Sequence, residues 1–313
     1  MELEKLRKLH PQHWEKANAI RVLTLDAVAA ANSGHSGMPV GMADVATILF
    51  EKHLKFSTAQ PNWPDRDRFI LSAGHGSMLL YSVAYLCGYA DFDIDQLKNF
   101  RQLGKKTAGH PGNFLSDVIE TTTGPLGQGI ANSVGFAIAE ESLRARFGRN
   151  IIDHHTFVIA GDGCLMEGVS QEAISLAGHL RLHKLIVFWD NNNITIDGTV
   201  DLTDSTDQKT RFEASGWEVI EIDGHDPEEI HSAILAAKKS EKPTMIACKT
   251  HIAIGTAAQD TSKGHGALTD PELIKNAREV YQWSHKPFDI PKSIKEQWEQ
   301  AGLEGHNAFK RWQ

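Results

Sequence analysis

Only three of the 313 residues are cysteine, Cys87, Cys164 and Cys248, and they stand far apart. An odd, scattered set makes neither a disulfide framework nor a zinc cluster. A reducing, cytoplasmic setting is the simplest expectation. No stretch approaches 18 uninterrupted apolar residues, which excludes a helical membrane span. The opening "MELEKLRKLHPQHWEKA" mixes both charge signs and has no apolar h-region, so a signal peptide is not expected. Basic excess is also missing: 32 Lys+Arg face 40 Asp+Glu, a formal net charge of −8, with a pI of ≈ 6.0. General nucleic-acid binders carry a basic stripe, so neither nucleic acid nor membrane is an expected partner. No GxGxxG follows an early strand with an acid roughly 20 positions on, which disfavours a generic Rossmann-type nucleotide binder. Repeats, low-complexity tracts and long linkers are absent.

What is present is ordinary in bulk and unusual in detail. The apolar fraction is 41% and the charged fraction 23%, as in a soluble globular protein. The length suits one large domain or two small ones. Residues 14–32, 42–54, 75–88, 93–104 and 127–148 read as helices. In the last of these Gly129, Ala131, Ser133, Gly135 and Ala137 suggest deep packing. "RFILSAG" at 68–74 reads as a strand. From 155 onward strands and helices alternate: strands "HTFVIA", "KLIVFWD", "WEVIEI" and "PTMIACKT", with helices between them. Residues from 270 on read as further helices. Such alternation predicts an α/β fold, a doubly wound, mostly parallel sheet covered by helices on both faces. Ligands in these folds sit beyond the carboxyl ends of the strands.

Chemistry-bearing residues fall at those ends. Asp162 follows one expected strand inside "AGDGCLMEG", and "DNNNITIDG" follows the next. Asn192 comes thirty positions after Asp162, the length of one βαβ crossover. Alone, Gly-Asp-Gly is a turn and the Asn run a polar loop. Together, on neighbouring strands, they offer two hard oxygen ligands to a cation such as Mg²⁺, which completes its shell with phosphate oxygens and water. "ETTTGPLGQG" at 120–129 opens a helix with free backbone N–H groups, a suitable anion cradle. Sixteen histidines is a high count, and His35, His75, His110 and His265 each follow a glycine in a loop-like context. Imidazoles there can donate hydrogen bonds to substrate oxygens and move protons near neutral pH.

These stretches together resemble one family. Gly-Asp-Gly followed thirty residues later by Asn-Asn looks like the thiamine diphosphate signature. "SGHSGMP", "SAGHGSM", "FRQLGKKTAGHPGN", "ETTTGPLGQG" and "GDGCLMEGVSQEAISLAG" resemble transketolase, in the family's order and over nearly the whole chain. The resemblance implies a thiamin diphosphate-binding fold with Mg²⁺, for which Ca²⁺ or Mn²⁺ substitutes. Asp162, Asn192 and the backbone oxygen of Ile194 would ligate the ion. Gly163 would contact the diphosphate, and His75, Gly124, Pro125, Leu126, Asn192 and His265 would line the cofactor site. Glu167 matches an acid that links neighbouring cofactor sites across a dimer. His35, His265 and His110 match histidines on the substrate side. Ser36 stands where the family commonly has proline, and Asn191 and Asn193 flank the ligand Asn differently from many relatives.

The implied activity moves a two-carbon ketol unit from a ketose phosphate to an aldose phosphate, with the cofactor as electron sink. The resemblance also implies something missing. A full family chain is about twice this long and holds the aminopyrimidine ring in a second domain, which supplies the activating glutamate; no acid here matches it. The expectation is therefore a single diphosphate-binding domain over 1–313. It would have an N-terminal arm to about 25 and a helical tail from about 270 leading toward an absent pyrimidine-binding domain. A pyrimidine-binding subunit or domain, sugar phosphates, and a homo- or hetero-oligomer are the expected partners. Alternatives are half of a dihydroxyacetone synthase or deoxyxylulose-phosphate synthase, or a cofactor-binding module inactive alone.

Overall fold

A computed structural model describes residues 1–313. The N-terminal stretch expected as an arm is helical and integral to the domain. It forms α1 (Leu3–Leu9) and α2 (Pro11–Ala31). Pro11 pre-sets the first turn of α2. Asn32, in the left-handed conformation at φ 47°, caps its end, so the helix stops one residue short of the expected 32. Most of α2 is buried, including Arg21, Asn18 and Lys16, as befits a helix surrounded by others. Short helices α3 (Gly37–Gly41) and α4 (Ala43–Ile48) follow, the latter running into a π turn, Leu49–His53. Next come β1 (Arg68–Leu71) and α5 (Met78–Cys87). The helix expected over 93–104 is only α6 (Ile94–Lys98): Asp93 caps its start, and Arg101 turns left-handed at φ 64° just beyond its end.

The small-residue helix is α7 (Gln128–Phe147). Its packing is one-sided. A Cβ on Gly129 would lie 2.5 Å from the Ser72 Cα, and Ser133 and Ala137 are buried, whereas Gly135 faces open space. The remaining elements are β2 (Thr156–Gly161), α8 (Asp162–Met166), α9 (Gly168–His179), β3 (Leu185–Asn191), α10 (Gln208–Ala214), β4 (Glu218–Asp223), α11 (Pro227–Ala237), β5 (Thr244–Lys249), α12 (Ser262–His265), α13 (Pro271–Val280) and α14 (Lys292–Trp312).

All five strands are parallel, in the order β1-β2-β3-β5-β4. The reversal at the end of that order explains the two layers. Crossovers are right-handed, so α7, α9 and α10, which advance the chain along the sheet, lie on one face. The return from β4 to β5 puts α11 on the other, where it packs on α4, and α4 packs on α2. With both faces covered, β2, β3 and β5 read as continuous apolar runs. A single cluster of 76 buried apolar residues spans Leu6 to Ala301, so the α14 tail shares one core with the sheet. No helix is long and apolar enough to cross a membrane.

Candidate functional site

Sheet register assembles the site. β2 and β3 are neighbours, and Gly161 pairs with Asp190 at their carboxyl ends. The chain then leaves both strands side by side, with Asp162 opening α8 and Asn192 just past β3. A cavity of ≈ 290 Å³ sits over these ends. Asp162, Gly163, Asn192, Ile194, Gly124, Leu126 and all four Gly-His histidines line it. Two expected site residues do not: Pro125 and Glu167 are exposed outside the cavity.

Asp162 is 7% exposed. Its Oδ1 accepts a hydrogen bond from Trp189 Nε1 at 3.0 Å, while its Oδ2 is buried with no partner. Burial raises its pKa to about 6, with Asp204 adding to the rise and the indole bond opposing it. A buried carboxylate oxygen left unpaired is costly, and Asp162 lines the cavity. Asn192 is held by its amide: Nδ2 donates to Asp190 Oδ2 at 2.9 Å, which fixes Oδ1 on the other side. That oxygen accepts the Ile194 N–H at 2.9 Å and keeps a lone pair free. Asp190 also accepts from the Thr250 hydroxyl, and burial lifts its pKa to about 7. Gly163 sits in the first turn of α8, where N–H groups lack intrahelical partners. A Cβ there would lie 2.9 Å from Leu126 Cδ1.

The lining therefore offers one unpaired carboxylate oxygen and one amide oxygen, with Ile194 and Gly163 beside them. No three His, Cys, Asp or Glu side chains converge as a metal centre. A divalent cation held here needs oxygens from elsewhere, as a magnesium diphosphate supplies. The residues fit thiamine diphosphate with Mg²⁺.

In the same cavity, three imidazoles close a triangle. Ring centroids are 5.0 Å apart for His35–His75 and His75–His265, and 5.6 Å for His35–His265. His110 stands exposed at the mouth, against Gly124. Burial lowers the pKa of His75 to about 3 and of His35 to about 4; neighbouring imidazoles, and Arg101 in the case of His35, push the same way. His265 is lowered by burial and His110 by burial and Arg101. All four are thus neutral near pH 7, each with one N–H and one lone pair.

Trp189, Asp190 and Thr250, the side chains that hold the candidate ligands, were not among the sequence candidates. Asp190 had a signal, since it is the last buried residue of an apolar strand. Trp189 and Thr250 had none, because their reach depends on which strands pair.

An open parallel sheet with a carboxylate, an amide oxygen and a glycine turn at two adjacent strand ends makes this an α/β protein with a strand-end site suited to a metal diphosphate. This chain belongs to the transketolase family: the family model "Transketolase, thiamine diphosphate binding domain" matches residues 12–313. It is 57% identical to the transketolase of Rhodobacter capsulatus over 314 residues, 100% of this chain and 47% of that protein. Against the transketolase of Cereibacter sphaeroides it is 55% identical, covering 96% of this chain and 46% of the other. The crystal structure of transketolase from Campylobacter jejuni superposes with a TM-score of 0.94 at 45% identity, over 96% of this chain and 48% of that one. A Pichia stipitis transketolase complex with sedoheptulose-7-phosphate gives 0.93 at 42% identity, over 96% and 45%. The chain spans about half the length of the curated relatives it matches.

Proposed function

We propose that this chain is the thiamine diphosphate- and Mg²⁺-binding half of a transketolase, transferring a two-carbon ketol unit from a ketose phosphate to an aldose phosphate when joined to a pyrimidine-binding half. The observation that carries this reading is the unpaired Asp162 Oδ2, buried in a cavity beside Asn192 and Ile194. Those three would hold the cation, Gly163 N–H the diphosphate, and Gly124, Leu126, His75 and His265 the cofactor's flank. Pro125 and Glu167, outside the cavity, would act where a second chain or domain approaches. When bound, the cofactor supplies the electron sink that stabilises a carbanion.

The chain's own residues do the rest. The neutral imidazoles of His35, His265 and His110 offer N–H donors to sugar hydroxyls and lone pairs to take their protons, without a cation to compete for the carboxylates. The partial burial of His35 and His265 limits the water around those bonds and strengthens them. Apolar side chains stand in solvent on loops near the site: Phe114 is 81% exposed and the cavity-lining Ile196 63% exposed. Such exposed apolar groups fit a docking partner, in a homo- or hetero-oligomer. The three cysteines are buried free thiols, which fits a reducing compartment.

The test is a ketol-transfer assay with xylulose 5-phosphate and ribose 5-phosphate, thiamine diphosphate and Mg²⁺, on the chain alone and with a pyrimidine-binding half. Turnover is expected only in the mixture. Turnover by the chain alone would overturn the half-enzyme reading. Trp189→Phe is expected to weaken Mg²⁺-dependent cofactor binding roughly 10- to 100-fold in calorimetry, the usual cost of losing a ligand's hydrogen-bonded support. An unchanged dissociation constant would show that Asp162 is held without the indole.

A further inference from the structure

His35, His75 and His265 lie in segments far apart in sequence, yet their ring centroids meet within a triangle of 5.0 to 5.6 Å. Glycine-rich loops do not hold such a geometry by packing. The hydrogen bonds that cross between the loops do. Ser36, fully buried, makes two of them: its N–H donates to the Gly266 carbonyl at 2.9 Å, and its Oγ accepts the Leu268 N–H at 3.2 Å. Ser36 directly follows His35, and Gly266 directly follows His265. The next residue tightens the seam. Gly37 O accepts the Ala253 N–H at 3.1 Å, and a Cβ on Gly37 would collide with the Gly264 carbonyl oxygen and Ile252.

Other bonds complete the circuit. Arg101 Nη1 donates to Ser33 Oγ at 2.7 Å, and the Arg101 N–H donates to the Thr107 carbonyl at 2.8 Å, tying the His35 loop to the one that carries His110. Ser77 Oγ donates to the Gly109 carbonyl at 3.0 Å, tying the His110 loop to the His75 turn. The Ser36 seam differs from these in joining the segments of two of the three clustered imidazoles.

We infer that Ser36 is a positioning residue: its two-point clasp on Gly266 and Leu268 sets the separation and facing of the His35 and His265 imidazoles for proton transfer. The inference rests on the function proposed above. A proline at this position has neither the N–H nor the Oγ, so a chain with proline there must fix the two loops by other contacts. Alanine keeps the N–H but leaves the Leu268 N–H without its acceptor.

The experiment compares wild type with Ser36→Ala and Ser36→Pro in the enzyme assembled with its pyrimidine-binding half. Three quantities are read: kcat, the thiamine diphosphate dissociation constant with Mg²⁺, and the side-chain ¹H–¹⁵N signals of the histidines. Misplacing a reacting group by about 1 Å costs on the order of 100-fold in rate. The expected result is a kcat loss of roughly 10-fold for Ser36→Ala and roughly 100-fold for Ser36→Pro. Cofactor affinity should fall less than kcat does, because Asp162, Asn192 and Ile194, proposed to hold the cation, are not on these segments, although His265 flanks the cofactor. The His35 and His265 ¹⁵N signals should move while those of His110 stay. A folded Ser36→Ala with wild-type kcat and unmoved His35 and His265 signals overturns the inference. If Ser36→Pro does not fold, Ser36→Ala decides alone. The signals are also recorded on this chain without its partner. Failure of wild type to bind thiamine diphosphate would overturn the proposed function, while the signals would still decide the clasp.

Discussion

Asp162→Ala is expected to remove Mg²⁺-dependent thiamine diphosphate binding, raising the dissociation constant by at least about 100-fold, beyond the usual cost of losing a mere supporting group. The reason is the scarcity of charge at the site. Among the side chains and carbonyl proposed to ligate the ion, Asp162 brings the only negative charge, and no cluster of acids stands by to replace it. Asn192 and the Ile194 carbonyl are neutral dipoles. Asp190 cannot substitute, because its two oxygens are committed to Thr250 and to the Asn192 amide. Alanine also releases the Trp189 indole N–H from its acceptor. Calorimetric titration with cofactor and Mg²⁺ makes the measurement, with circular dichroism to show that the fold survives. Binding within threefold of wild type would remove Asp162 from the ligand set.

Asp44→Ala is expected to destabilise the fold by about 3–5 kcal/mol, the cost of leaving a buried charge uncompensated. Asp44 and Arg21 are both fully buried. Burial alone would raise the Asp44 pKa, but the Arg21 guanidinium, His13 and His225 hold it well below the usual carboxylate range. His225 Nδ1–H donates to Asp44 Oδ2 at 2.8 Å, and its Nε2 accepts the His251 N–H at 3.0 Å. Its pKa is lowered, by burial first, so it stays neutral and keeps the tautomer those two bonds require. Without Asp44 the Arg21 charge loses its counter-ion, and the bond that fixes the His225 ring disappears. A urea melt measures the loss. An Arg21→Met/Asp44→Ala double variant should recover part of it, since removing both charges is cheaper than removing one. A melt of the single variant that overlays wild type would show the network to be dispensable.

The network also bears on the site. Ile252 follows His251 and lines the cofactor cavity, so Asp44 braces the cavity wall from behind. No local pattern in the sequence announced the network. Its residues lie in four segments that only the fold brings together.

Other parts were legible, for physical reasons. Strands β2, β3 and β5 announced themselves because strands buried on both faces must be apolar throughout. The spacing from Asp162 to Asn192 implied adjacent strands, and the pairing of Gly161 with Asp190 is that adjacency. Glycine before each of four histidines signalled loops, and all four line one cavity. Local propensity failed where tertiary contacts decide. The segment 93–104 has helical composition, yet the chain must turn at Arg101 to carry the next loop back over α5, where Tyr81 donates to the Ala108 carbonyl at 2.9 Å. The Ser36 clasp reaches across 232 positions and leaves no local pattern at all.

The pairing of β2 with β3 has a consequence for how such a chain can vary. Asp162 and Asn192 meet because six residues of β2 run in step with six of β3, from Thr156 opposite Leu185 to Gly161 opposite Asp190. Inserting one residue within either strand would slide its end by about 3.3 Å and turn every following side chain to the other face. The exposed loop over 203–207, beyond the cavity-lining residues, has no such partner to stay in step with. Length changes should therefore accumulate in that loop and be purged from the strands, even where the inserted residue is apolar and packs well. The sheet acts as a vernier, and selection on its register is selection on chemistry rather than on stability.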